Sequence, residues 1–253
     1  MEWLAWVILG LALAVGLPML VLARHPSPSG TLWSNVIYGL GDWYAAAVHG
    51  LKVEGFEHVP TARDAGPLIV VANHTAGVDP VLISARCPFH IRWIMAEDMR
   101  LPWLDRFWRW QQVIFVSRSG RDRTAMREAM AHLRAGGVIG IYPEGGLERP
   151  ERQLLRFQRG VGMLIKRSGA PVLPVWVEGT PQVDPAWASL WHTSRSRVEF
   201  APIIDYSTTG LGADEIADDL RARYRAWTGW ALNEAEPTPD VNPKKATRRA
   251  RTA

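Results

Sequence analysis

From Trp3 to Ala23 the chain runs for twenty-one consecutive residues without a charge. As a helix rising 1.5 Å per residue, this run would be about 31 Å long, the thickness of a bilayer core. Trp3 and Trp6 stand where an aromatic belt would lie, and Arg24 closes the other end. Only Glu2 precedes the run after the initial Met, so the basic start of a secretory signal is missing. The pattern predicts a membrane anchor over residues 1–24, spanning or, through Pro18, re-entrant. From Thr31 to Leu51 the period changes. Leu32, Trp33, Val36, Ile37, Leu40, Trp43, Tyr44, Ala47 and Val48 recur at steps of three and four. This is an amphipathic helix whose apolar face suits either a protein core or a membrane surface.

Beyond it, short β-branched runs alternate with helical ones. Strands are predicted at Pro67 to Ala72, Ile91 to Met95, Val113 to Val116, Val138 to Tyr142 and Val172 to Val177, with a short late one at Val198 to Phe200. Helices are predicted at Pro80 to Ala85 with Asp79 as N-cap, Asp122 to Ala135, Phe157 to Arg167 and Ala213 to Leu232. Gly136-Gly137 and Gly169 act as stops. The alternation predicts an α/β fold, a largely parallel central sheet covered by helices. Residues 52–232 would form that domain, residues 25–51 the amphipathic interfacial helix, and residues 233–253 a disordered basic tail.

The composition is that of a globular protein, 47% hydrophobic and 21% charged over 253 residues. A single cysteine, Cys87, excludes a disulfide framework and a cysteine-based metal cluster. Lys244, Lys245, Arg248, Arg249 and Arg251 against Asp240 account for the whole net charge of +4. The body of the chain is neutral, which speaks against a nucleic-acid-binding protein. A basic tail suits anionic lipid, and with Arg24 it places the domain on the cytoplasmic face of the cell membrane. Thirteen tryptophans reinforce the membrane reading. Several are concentrated in Met99 to Trp110, where Trp103, Phe107, Trp108 and Trp110 interleave with Arg100, Arg106 and Arg109. Such a segment fits the headgroup layer or an aromatic core.

Candidate chemistry gathers at the predicted strand ends, where open α/β sheets bind ligands. Asn73-His74 closes the first strand, and Asp79 follows five residues after His74. An aspartate there can fix an imidazole tautomer and leave the other nitrogen as a general base, or simply cap a helix beside an incidental histidine. No glycine-rich phosphate loop and no metal-ligand spacing is present; no metal site is expected.

Four motifs stand in order: NHTAGVD from Asn73, FVSR ending at Arg118, YPEGG from Tyr142, and LPV around Pro174. Together with a preceding apolar segment, they resemble the glycerolipid acyltransferase family, the glycerol-3-phosphate and 1-acylglycerol-3-phosphate acyltransferases. The resemblance covers about half the chain, Leu51 to Gly179, and Phe157 and Gly160 in RFQRG resemble the segment that usually follows the third motif. It implies that His74 is a general base oriented by Asp79. An acceptor hydroxyl would then attack the thioester of acyl-coenzyme A or acyl-carrier protein directly, as co-substrate and with no bound cofactor. Arg118 would bind the acceptor phosphate, Glu144 and Gly145 the head group, and Pro174 the acyl side, with Asn73 also among the substrate-binding residues. The implied partners are membrane lipid and a lyso-lipid acceptor.

One departure stands out. The family's third motif usually reads Phe-Pro-Glu-Gly-Thr-Arg, whereas Gly146 and Leu147 stand here for its Thr-Arg. Arg149 or Arg152 lies close enough in sequence to substitute. The departure leaves room for another lyso-lipid acceptor, such as a lyso-aminolipid, or for an inactive lipid-binding scaffold. A thioesterase would use the same pair on water.

Overall fold

The computed structural model describes residue 22 and residues 27–117, 123–148 and 151–235. The expected anchor, apart from residue 22, and the basic tail beyond residue 235 lie outside the described residues. Among those described, no helix is long and apolar enough to cross a membrane.

Seven strands form one sheet: β1 (Lys52–Glu54), β2 (Leu68–Ala72), β3 (Ile91–Ala96), β4 (Ile114–Val116), β5 (Val138–Ile141), β7 (Val172–Glu178) and β8 (Arg197–Phe200), in the order β1-β8-β7-β2-β5-β3-β4. Strands β7, β2, β5, β3 and β4 are mutually parallel, and β8 runs antiparallel to β7. The carboxyl ends of five strands therefore share one edge. A separate two-stranded pair joins β6 (Gln153–Leu154) to β9 (Ala231–Leu232).

Strand β2 is buried at every position, as a central parallel strand should be, and the alternation of its side chains feeds two cores. Ile69 and Val71 face the layer of α4 (Arg123–Arg134), α5 (Arg159–Ser168) and α6 (Ala213–Thr228). Leu68, Val70 and Ala72 face the layer that holds α2 (Asp79–Ser84) and Ala45 of α1 (Leu32–Ala47). Helix α3 (Asp105–Trp110) leads into β4, and its Trp108 ring lies 5.5 Å from that of Trp187. On α4, Ala125, Ala129, Met130 and Leu133 are buried, the stripe its 3.6-residue period predicts. Gly162 lets α5 and α6 touch: a Cβ there would stand 1.8 Å from the Ala213 carbonyl oxygen.

Two expectations are corrected, and one left open is resolved in part. Asp79 is the first residue of α2 rather than its N-cap, which is Val78; its carboxylate turns back onto the preceding loop. Helix α6 ends at Thr228, not Leu232, because Gly229 takes the left-handed conformation (φ 69°) and closes it. Helix α1 packs inward through Ser34, Val36, Gly39 and Ala45, while Leu32, Trp33, Ile37, Leu40 and Trp43 point to solvent. Most of its large apolar side chains do not serve the core.

Candidate active site

At the end of β2, the chain needs a tight turn before α2, and Asp79 organises it. Its Oδ2 accepts from the backbone N–H of Thr75 at 2.7 Å and of Ala76 at 2.8 Å. The Thr75 hydroxyl adds a bond to Oδ1 at 3.2 Å. These donors stand in for the water that a wholly buried carboxylate has lost. The same Oδ2 accepts from His74 Nδ1–H at 3.0 Å. That bond sets the tautomer and leaves Nε2 with its lone pair. Among the described residues no hydrogen bond to Nε2 is found. Asp79 is sealed, whereas His74 keeps 22% of its side chain exposed, so the imidazole is the member a substrate can reach. Gly77 lets this turn press against the 186–191 segment; a Cβ would lie 2.6 Å from the Ala186 carbonyl oxygen.

The loop after β5 lies alongside. Glu148 N–H donates to the His74 carbonyl at 2.6 Å, and Gln158 N–H donates to the Pro143 carbonyl at 2.7 Å. The imidazole of His74 stacks on the Tyr142 ring, centroids 4.0 Å apart and planes 16° from parallel. Gly145, with φ at 76°, takes the backbone conformation that glycine tolerates best.

Glu144 and Glu148 are both fully buried. Glu148 accepts from Asn73 Nδ2 at 3.2 Å and from the Gln153 N–H at 2.7 Å. Burial pushes its carboxyl up to about 7, against the pull of those bonds. Neither oxygen of Glu144 has a partner among the described residues. Burial, then the Glu148 and Asp79 charges, hold it well above the ordinary carboxylate range, with Arg221 opposing.

The residues singled out from sequence thus divide. His74, Asp79, Glu144 and Gly145 come together at the shared strand edge. Asn73 is there too, but its amide is spent within the protein: Oδ1 accepts from Val177 N–H at 2.8 Å and Nδ2 donates to the Val177 carbonyl at 3.0 Å. It extends the β2–β7 pairing past the end of β2. Pro174 lies inside β7, opposite Val71. A proline has no N–H to give, and the Tyr224 hydroxyl enters the ladder there, donating to the Val71 carbonyl and accepting from Val175 N–H at 3.0 Å. Arg118 and Arg149 lie outside the described residues; Ser117, just past β4, is on the same edge. Arg152 is drawn toward Glu178, with Nε 3.7 Å from Oε2. Cys87 is buried and its thiol is pushed up by burial, which suits packing rather than chemistry. Sequence reasoning missed Tyr142 and Glu148 as neighbours of His74.

Residues 50–178 match the family model described as Acyltransferase. An N-acylphosphatidylethanolamine synthase of Arabidopsis thaliana is 32% identical over 120 residues, 43% of this chain and 42% of that protein. The chain thus matches less than half the length of that curated relative. The fold is similar to the crystal structure of the 1-acyl-sn-glycerophosphate (LPA) acyltransferase, PlsC, from Thermotoga maritima. The TM-score is 0.62 at 21% identity, over 89% of this chain and 92% of that one.

Proposed function

The chain belongs to the acyltransferase family, and from that premise we propose that it moves a fatty acyl group from acyl-coenzyme A or acyl-carrier protein to the free hydroxyl of a lyso-phospholipid at a membrane surface. The observation that carries this reading is the His74–Asp79 pair at the strand edge, with Nδ1 bonded and the imidazole reachable. His74 Nε2 takes the proton of the acceptor hydroxyl. The hydroxyl oxygen forms a bond to the thioester carbonyl carbon, the carbon–sulfur bond breaks, and the proton passes from His74 to the departing thiolate. Asp79 holds the ring and balances the imidazolium that forms. A thioester is already activated, so positioning and proton removal suffice and no covalent enzyme intermediate is needed.

The membrane setting is supported by the unburied apolar surface. Helix α1 presents Leu32, Trp33, Ile37, Leu40 and Trp43; Trp103 and Trp191 are 78% and 86% exposed. These three segments adjoin: the Tyr44 hydroxyl donates to the Leu190 carbonyl at 2.6 Å, and Trp187 Nε1–H to the Met99 carbonyl at 3.3 Å. Helix α1 is also tied to the α2 layer by Asp42, 2.8 Å from Arg86 just past the C-terminal end of α2. A belt of exposed tryptophans beside the catalytic layer suits an enzyme whose acceptor lies in a bilayer.

A second acceptor class is favoured by the loop after β5. It carries Gly146 and Leu147 where the family's third motif has Thr-Arg, so no guanidinium stands there. An acceptor that depends less on that arginine than a bare phosphomonoester does, such as a lyso-aminolipid, suits this departure. Labelled acyl-coenzyme A supplied with lysophosphatidate, other lysophospholipids and a lyso-aminolipid separates the two. A diacyl product with lysophosphatidate favours the first, and one confined to the amine-bearing acceptor favours the second.

A further inference from the structure

One more aromatic side chain continues the contact between His74 and Tyr142. Trp93 stacks on the far side of the pair, its ring 4.9 Å from Tyr142 and 13° from parallel. Its Nε1–H donates to Ser84 Oγ at 3.0 Å. Ser84 is the last residue of α2 and Asp79 the first. The supports of the imidazole therefore close on themselves: Asp79 grips its edge, and from the other end of the same short helix Ser84 fixes the indole that backs the ring against its face. Strand pairing makes room for this column. Trp93 in β3 lies opposite Gly140 in β5, and a Cβ at Gly140 would stand 2.5 Å from the Trp93 ring.

We propose that Tyr142, backed by Trp93, is a positioning residue for acyl transfer: its ring face fixes the plane of the His74 imidazole and favours the imidazolium formed as the acceptor loses its proton. A hydrogen bond through Nδ1 alone leaves a ring free to rock about that bond; a stacked face removes the freedom. An aromatic face also attracts a cation lying on it, so the contact strengthens as the proton arrives. The ring acts and the hydroxyl does not. The Tyr142 hydroxyl is buried with no partner among the described residues, and burial followed by the Asp79 charge pushes its titration well above the ordinary phenol value. A group so placed gives up nothing when it is removed.

The inference rests on His74 being the base, and the test separates the two. Steady-state acyl transfer is measured for wild type, His74→Ala, Tyr142→Phe, Tyr142→Leu and Trp93→Leu, with thermal unfolding beside it. Tyr142→Phe should keep kcat within about twofold, because the ring remains. Tyr142→Leu should lower kcat about tenfold, equivalent to about 1.4 kcal/mol of barrier, with KM for both substrates within about twofold. Trp93→Leu should lower kcat about threefold, again with KM unchanged. Wild-type kcat in Tyr142→Leu overturns the inference. So does a loss in Tyr142→Phe equal to that in Tyr142→Leu, or a change confined to KM. Should Tyr142→Leu fail to fold, Trp93→Leu decides, and an unchanged kcat there overturns the column. If His74→Ala retains turnover, it is the reading of the base that fails; if only His74→Ala is impaired, the column alone fails.

Discussion

The backbone N–H of Glu148 donates to the carbonyl of His74 at 2.6 Å. Through that bond the loop after β5 is fastened to the residue proposed as the general base. The Glu148 side chain repeats the tie one residue earlier, at Asn73.

Glu148 gives the fold a pH dependence of definite sign. Its carboxyl is raised from an ordinary 4.5 to about 7, chiefly by burial. The unfolded chain releases this proton first, so between those values the native state binds more protons and its stability falls as pH rises. The gap corresponds to on the order of 3 kcal/mol, and Glu144 acts in the same sense. Denaturant midpoints at pH 5 and pH 8 should show wild type losing stability with rising pH and Glu148→Gln losing less. A wild type as stable at pH 8 as at pH 5 would be contrary to this.

Asp79→Asn tests the turn and the tautomer together. The aspartate accepts from His74, two backbone N–H groups and the Thr75 hydroxyl. Asparagine offers one oxygen and a donor, so at least one of these donors faces an N–H. A stability loss of about 1–3 kcal/mol is expected, together with a fall in kcat of at least about 100-fold. Turnover close to wild type would show that the aspartate only shapes the loop.

The outward apolar residues of α1 and of the 99–110 segment should matter for lipid presentation and not for folding. The double variant Trp33→Glu, Trp103→Glu should leave thermal unfolding unchanged, since both rings are exposed. With each large side chain worth about 1.5–3 kcal/mol when removed from water, transfer to an acceptor embedded in vesicles should fall at least about tenfold. Transfer to a soluble short-chain acceptor should hold. Equal loss on both acceptors would assign these residues to the fold.

Much of this architecture was legible from periodicity. Runs such as LIVVA and VIGIY have no polar face and read at once as buried parallel strands. Strands β1, β6 and β9 are two or three residues long and carry no period to read. The spacing of His74 and Asp79 made their contact legible, while the roles assigned to them came from the resemblance carried by all four motifs. The contacts of Tyr142 and Trp93 were not legible, because the column depends on which strands are neighbours: the opposition of Trp93 and Gly140 exists only once β3 lies beside β5. Helix α1 was legible as amphipathic, but periodicity cannot say which side its apolar face meets, and here small residues face the protein. Asn73 follows the end of β2 and Pro174 lies within β7, and both serve the β2–β7 junction.

The central claim is that His74, held by Asp79, removes the proton of the acceptor. Its most direct test is acyl transfer by the full chain in detergent from labelled acyl-coenzyme A to the lyso-lipid panel, with wild type and His74→Ala side by side and thermal unfolding as a control. A diacyl product made by wild type and lost by at least about 100-fold in a folded His74→Ala protein is the expected result. Product formed equally by both would contradict the account. Release of coenzyme A without any acylated lipid, or binding of acyl-coenzyme A with no turnover by wild type, would also contradict it, pointing to a thioesterase and to a lipid-binding scaffold respectively.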